Sequence, residues 1–274
     1  MDIGCHVSIA RGVTNAPQRA ADLGCECFQM FTRSPQGGKA PILTKETCEE
    51  FKILNFKFKI KEVFIHTPYY INFASANNRI RYGSVSVVRD ELERANLLGA
   101  KYVMTHLGSA GELSENEATE KVAEMLKKTL LDYTGSTELL IENSAGAGKI
   151  IGATLAQIKE IIEKVNHPKL NGICLDTQHS FASGYDWRDF DATLAKIDAE
   201  LGLEKIKLIH ANDSLTKCNS KKDRHAHIGE GLIGKAAFQK IVAFAEKNNI
   251  DMILETEHEK VIADINLLKS FRGK

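Results

Sequence analysis

Val63-Phe64-Ile65-His66 is a three-residue apolar run closed by an imidazole, and the same phrase returns along the chain. Tyr102-Val103-Met104-Thr105 leads into His106, Leu139-Leu140-Ile141 into Glu142, and Ile173-Cys174-Leu175 into Asp176. Ile206-Lys207-Leu208-Ile209 leads into His210, and Met252-Ile253-Leu254 into Glu255. Successive closing residues lie 34 to 45 positions apart, the length of a strand, a helix and two loops. Short runs without alternation suit strands buried on both faces. Further runs at 2–9 and 25–31 bring the count to eight, beside strands expected at 62–67, 102–107, 138–143, 171–177, 206–212 and 251–256. Helical stripes fill the gaps, such as Leu155, Ile158, Ile161, Ile162 and Val165, or Val122, Met125, Leu126 and Leu130. These are core faces and carry no function. Thr44 with Thr47 marks a helix start, and Gly24, Gly99 and Gly202 fit helix ends. Strands alternating with helices predict a parallel sheet, and eight units predict its closure. The expectation is an α/β fold, a single (β/α)8 TIM barrel over residues 1–274. Its closing residues gather at the C-terminal ends of the strands, where such barrels keep their active sites.

Composition agrees with that architecture. Barrels of about 250 residues are common, and no Pro/Gly/Ser-rich linker or charge block divides this 274-residue chain. Hydrophobic residues make up 43%, enough for one large core. Met1-Asp2-Ile3-Gly4-Cys5-His6 lacks the basic and apolar regions of a signal peptide, and no run is long enough for a bilayer. A cytoplasmic protein with no membrane partner is therefore expected. Cysteines 5, 25, 27, 48, 174 and 218 show no regular framework and read as reduced thiols. Cys25-Glu26-Cys27 lacks the spacing of a zinc or redox pair, and the two thiols are expected as buried filler on one strand face. The 36 basic and 36 acidic residues balance, which argues against a general nucleic-acid coat. A local basic rim is still compatible with that balance. Lys217, Lys221, Lys222 and Arg224 cluster around Asp223, and by themselves they read as a solvated loop.

Taken singly, each closing residue has a plain explanation. A strand-end histidine is more often a structural hydrogen bonder than a ligand, and Asp176 or Glu142 could cap a helix. Taken together, the set resists that explanation. Buried carboxylates and imidazoles clustered without a cation would suffer desolvation and repulsion. Loop residues enlarge the set: His179 follows Asp176 by three, and Asp223-Arg224-His225 sets a carboxylate and an imidazole two apart. His167 beside Pro168, His227 and His258 fall outside the pattern and read as ordinary polar residues. Nine donors exceed the three or four that one zinc ion takes, so more than one ion is expected. Multinuclear centres suit in-line phosphoryl displacement, which makes phosphodiester hydrolysis the leading chemistry. Metal-dependent isomerisation of a sugar on a related barrel is the alternative.

The motifs resemble the endonuclease IV family, zinc-dependent apurinic/apyrimidinic endonucleases of base-excision repair. The likeness runs from Gly4-Cys5-His6-Val7-Ser8 to Glu255-Thr256. It takes in His66-Thr67-Pro68-Tyr69-Tyr70-Ile71-Asn72, His106-Leu107-Gly108-Ser109 and Ile141-Glu142-Asn143-Ser144-Ala145-Gly146. Leu175-Asp176-Thr177-Gln178-His179, Ala182-Ser183-Gly184-Tyr185-Asp186, His210-Ala211-Asn212-Asp213-Ser214 and the segment from Asp223 to Gly231 continue it. The resemblance implies a TIM barrel with three zinc ions. It assigns His66, His106 and Glu142 to the first ion. Glu142 bridges to a second, completed by Asp176, His210 and Glu255, and His179, Asp223 and His225 take the third. Glu142, Glu255 and His106 are the implied catalytic residues, with Glu255 orienting the attacking water.

The implied substrate is duplex DNA with an abasic site or a blocked 3′ end. It would be cut 5′ to the lesion, leaving a 3′-hydroxyl and a 5′-deoxyribose phosphate, by a protein expected to be a monomer. Tyr69 and Tyr70 match the loop that enters DNA at the lesion, where aromatic faces stack on unpaired bases. The chain departs from the family in Thr32-Arg33-Ser34-Pro35-Gln36-Gly37-Gly38-Lys39, where Gln36 and Gly38 replace an arginine and a tryptophan. Arg33 and Lys39 are the expected compensating DNA contacts, with Lys221, Lys222 and Arg224 on the basic segment. Glu257 stands where the family has a small residue or proline. The altered loop alone suggests a protein that binds abasic DNA without cutting it, and the intact donor set argues against that.

Overall fold

The computed structural model describes residues 1–273. In chain order the elements are β1 (Ile3–His6), α1 (Ala16–Asp22), β2 (Cys27–Met30), α2 (Lys45–Lys57), β3 (Glu62–His66), α3 (Asn78–Leu98) and β4 (Tyr102–Thr105). α4 (Glu115–Leu130), β5 (Glu138–Glu142), α5 (Leu155–Val165), β6 (Ile173–Asp176), α6 (Thr177–Ser183), α7 (Phe190–Glu200) and β7 (Ile206–His210) follow. The chain ends with β8 (Asp213–Ser214), β9 (His225–Ala226), α8 (Lys235–Lys247), β10 (Asp251–Leu254) and α9 (Val261–Lys269). Strands β1 to β7 pair in sequence, β10 follows β7, and β10 closes on β1. Every barrel pairing is parallel. All eight predicted strands are there, each shorter than the range expected for it, and four of them end on the closing residue itself, at His66, Glu142, Asp176 and His210.

Two shells of apolar side chains hold the barrel. The outer shell joins strands to helices and contains both predicted stripes, on α4 and α5, fully in the core. Those helices begin where local chemistry satisfies their first N–H groups. Thr154 accepts from Gln157 N, and Ser114 and Glu117 form a reciprocal capping box. Thr44 caps α2 by accepting from Thr47 N, and Gly99 ends α3 in the left-handed conformation.

The inner shell is a separate buried cluster of Cys27, Phe64, Met104, Leu140, Cys174, Leu208 and Ile253, one from each of seven strands. On β1 the same level is held by Gly4, in register with Cys27 and Ile253. A Cβ on Gly4 would lie 1.7 Å from the Cys27 carbonyl oxygen. Only glycine closes the barrel at that seam.

Cys25 and Cys27 do not share a face. Cys25 lies before β2 and packs in the outer shell, its Sγ 3.5 Å from that of Cys5, whereas Cys27 fills the barrel interior. Strand alternation starts only at Cys27, after the turn at Gly24, so the two-residue rule does not reach back to Cys25. The regular βα alternation is also elaborated twice at the C-terminal rim. The short α6 follows β6 directly, and the antiparallel pair of β8 and β9 lies between β7 and α8. Among the described residues, no helix is long and apolar enough to cross a membrane.

Candidate metal centre

Alternate residues of a strand face the same way, so the position two beyond each inner-shell residue also points inward, one layer nearer the C-terminal rim. Applied to the eight strands, this step gives His6, Gln29, His66, His106, Glu142, Asp176, His210 and Glu255. The six closing residues of the apolar runs are therefore one ring set on the apolar plug. His6 and Gln29 complete the ring. Counting only ligand-type residues after apolar runs misses both, whereas the two-residue step on β1 and β2 finds them.

Five members of the ring, His6, His66, His106, Glu142 and Glu255, line a cavity of about 530 Å³, together with Tyr69, Ser144, Gly146, His179, Asp223, His225 and His258. Donor atoms fall into three groups, each with its members within 4.8 Å of one another: His66, His106 and Glu142; Glu142, Asp176, His210 and Glu255; and Asp176, His179 and His225. Asp223 joins the last, its carboxylate oxygens 3.3 Å from His179 Nε2 and 3.3 Å from His225 Nε2. All nine predicted donors are thus brought together, with Glu142 and Asp176 each shared between groups. The rim elaborations explain the third group. Asp176 Oδ1 caps α6 by accepting from His179 N at 2.7 Å, which brings His179 over the ring. Pairing of β8 with β9 sets His225 opposite Ser214.

Two rings are anchored from behind. His66 Nδ1 donates to Thr67 O (2.6 Å), and His179 Nδ1 donates to Asn143 O (3.0 Å). A carbonyl only accepts, so these contacts fix a proton on Nδ1 and direct Nε2 toward the carboxylates, as outer hydrogen-bond partners do in metal sites. Asn212 braces three strands at once. It donates to Asp176 Oδ2 (2.7 Å) and accepts from Glu255 N (2.9 Å). Electrostatics follow from this crowding. Burial pushes the Glu142 carboxyl up, but His106 and His210 outweigh it and hold the group well below the usual carboxylate range. Burial likewise opposes the charge on His179, yet Asp176, Asp223 and Glu142 hold it well above an ordinary imidazole. His6, in the cavity wall, is pushed down by burial to about 4 and is neutral at pH 7.

A cation fits this donor set. His225 Nε2 is buried without a hydrogen-bond partner although carboxylates of Asp223 and Asp176 flank it at 3.3 and 3.9 Å. A mixed imidazole and carboxylate set with an unpartnered ring nitrogen between two anions is the chemistry of a borderline divalent metal such as zinc.

The residues expected to meet the substrate are less uniform. Tyr69 is 70% exposed beside the cavity, its ring edge-on to Phe31, and Tyr70 is 39% exposed. Lys39, Lys217, Lys222 and Arg224 are exposed. Lys221 is also exposed, with its Nζ on Ser183 O and its chain over Gly146 in the cavity wall. Arg33 is a correction. It is 6% exposed, and its guanidinium is paired with Glu91 and Asp90 of α3. Thr32 and Arg94 complete that buried network, with Thr32 donating to Glu91 and accepting from Arg94. A buried guanidinium paired with the fully buried Glu91 and the half-exposed Asp90 is not free for a DNA phosphate, and Arg33 instead secures the loop after β2. His227 has the ordinary polar role expected of it, paired with Asp264 at 2.7 Å. His258, by contrast, stands at the cavity mouth.

A family model described as a xylose isomerase-like TIM barrel matches residues 17–271. A probable endonuclease 4 of Natranaerobius thermophilus is 36% identical over 280 residues, covering 100% of this chain and 99% of the relative. The crystal structure of endonuclease IV from Thermus thermophilus superposes with a TM-score of 0.87 at 30% identity, covering 99% of this chain and 98% of that one. A D-tagatose 3-epimerase-like protein superposes with a TM-score of 0.76 at 22% identity over 99% of this chain and 97% of that one, a likeness of fold alone.

Proposed function

The chain belongs to the endonuclease IV family of apurinic/apyrimidinic endonucleases, and on that premise we propose that it hydrolyses the phosphodiester 5′ to an abasic site in duplex DNA through three zinc ions. The observation that carries the reading is the sharing of Glu142 and Asp176 among three donor groups around one cavity. A single ion has no use for nine donors, whereas adjacent ions joined by shared carboxylates suit the displacement of a phosphoryl oxygen. His66, His106 and Glu142 would hold one ion, Glu142, Asp176, His210 and Glu255 a second, and His179, Asp223 and His225 a third. Bound zinc supplies Lewis acidity toward water and toward both oxygens of the displaced phosphate.

The protein's own groups do the remaining work. Glu142, kept ionised by its imidazole neighbours, supplies the negative charge that two cations can share. Glu255 keeps one-fifth of its side chain open to the cavity and can accept a proton-bearing contact from the attacking water. Tyr69 and Tyr70 offer faces to the bases beside the lesion, and Lys39, Lys221, Lys222 and Arg224 offer cations to the flanking phosphates. The products are a 3′-hydroxyl and a 5′-deoxyribose phosphate, and the same centre would trim blocked 3′ ends. The test is zinc-loaded protein on a duplex with one synthetic abasic site. A single incision 5′ to that site is expected. An uncut duplex, with ketose epimerised instead, would overturn the reading.

A further inference from the structure

Gln29 is fully buried in the ring, between three groups that differ in what they accept. Its Nε2 lies 2.7 Å from Glu255 Oε1 and 3.0 Å from His6 Nδ1, and its Oε1 lies 2.7 Å from His210 Nε2. Only one orientation of the amide is chemically consistent. A carboxylate only accepts, so the atom facing Glu255 is the NH2 group. Its second hydrogen then points at His6 Nδ1, which must be unprotonated. The amide oxygen must receive a proton from His210, which places that proton on Nε2. His210 Nδ1 is left facing Glu142 Oε1 at 3.1 Å and Glu255 Oε2 at 3.2 Å. The neutral His6 carries its one proton on Nε2, which makes no hydrogen bond among the described residues, on a ring that lines the cavity.

We propose that Gln29 is a positioning residue that fixes the tautomers of two histidines. It holds the Nε2 proton of His210, so that Nδ1, which faces Glu142 and Glu255, is the nitrogen that gives up its proton to a metal, and it makes the His6 Nε2–H a donor for an anionic oxygen of the substrate. The second half rests on the reading of the cavity as a phosphodiester site, and the first half does not. The arrangement explains why a primary amide, which binds no zinc, sits among ligand-type residues. Only a group with two donors and one acceptor satisfies a carboxylate and two differently protonated rings together.

The test uses the zinc-loaded full chain. Gln29→Leu removes all three hydrogen bonds at nearly constant volume, and Gln29→Met does so with a more adaptable side chain should the leucine variant fold poorly. Competition with a chromophoric chelator should show zinc held roughly ten- to a hundredfold less tightly at one of the bound ions, the usual effect of losing an outer partner of a metal-bound histidine. Long-range proton–nitrogen NMR, which reports which ring nitrogen is protonated, should show His6 and His210 in single tautomers in the parent. In the variants the His6 rings should be mixed. His6→Phe should keep zinc affinity while kcat/KM on abasic duplex falls roughly tenfold or more. His6→Gln, whose amide N–H replaces Nε2–H, should recover part of that loss.

Parent-like zinc affinity and parent-like tautomers in a folded Gln29 variant would overturn the positioning role. Equal activity of His6→Phe and the parent would overturn the donor role. A parent that fails to incise abasic duplex yet shows the tautomer change would sink the phosphodiester reading and leave the positioning role standing.

Discussion

Replacing Asp213 by asparagine should be among the most damaging changes outside the donor set. Its carboxylate is fully buried and collects the N–H groups of Ser214 (2.7 Å), Ile233 (2.9 Å), Gly229 (3.0 Å), Gly231 (3.2 Å) and Gly234 (3.2 Å). A carboxylate offers about four lone-pair sites, so five donors saturate it. Asparagine keeps one oxygen for Ser214 and Ile233 but turns an NH2 group toward Gly229, Gly231 and Gly234. Hydrogen bonds to a charged acceptor contribute roughly 1.5–3 kcal/mol each, and stranded buried donors add their desolvation. Two or three such losses, partly offset by no longer burying a charge, come to about 3–5 kcal/mol. The damage should reach the site, because Asp213 pairs with Ala226 and the next residue, Ser214, with the donor His225. Urea unfolding of the metal-free variant should show the loss, and elemental analysis of the loaded variant should show depleted zinc. A variant within about 1 kcal/mol of the parent, with full metal content, would refute the reasoning, since that is the scale of one ordinary hydrogen bond.

Zinc content of protein purified without chelator should exceed one ion per chain, and a ratio of one in fully active protein would exclude the shared-carboxylate reading. Glu142→Gln keeps the shape of the group and removes the charge that two cations would share, so both zinc and incision should be lost. Tyr69→Ala should weaken abasic-duplex binding by about 1–3 kcal/mol, the worth of a stacking aromatic, with zinc content unchanged; equal affinity in gel-shift titration would make Tyr69 a rim residue only. Stability of the chelated protein should depend on pH in two directions. Glu142, held below its ordinary 4.5, stabilises the fold above that pH and ceases to as pH falls through its native value. His179, held above its ordinary 6.5, stabilises below 6.5 and ceases to as pH rises through its native value. The chelated form should therefore be most stable between about pH 4.5 and 6.5, and thermal melts flat from pH 5 to 9 would contradict that. Zinc, which needs deprotonated ligands, should raise the melting temperature more at pH 8 than at pH 6.

The barrel and most of its ring are local properties of the chain, and so they are legible in it. An apolar run of three or four followed by a polar residue encodes the strand, its end and the inward direction of the closing side chain. Spacing of about one βα unit then dictates that six such ends meet. His179 and the pair Asp223 and His225 are visible as donors, but the seven-residue α6 and the β8–β9 pair that deliver them are too short for periodicity to register. Gln29 escapes a search by ligand type, and its role exists only where Glu255, His210 and His6 converge from three other strands. Arg33 has the look of a free cation beside an altered loop. Its partners Asp90 and Glu91 lie 57 and 58 residues away on α3, and nothing in the loop announces them. Asp213 is one letter of a motif until the backbone of residues 229–234 folds around it. Period and spacing are written along a strand, and the sequence carries them alone. Hydrogen-bond satisfaction of a buried polar group depends on what the closed barrel brings within about 3 Å, and only the tertiary structure decides that.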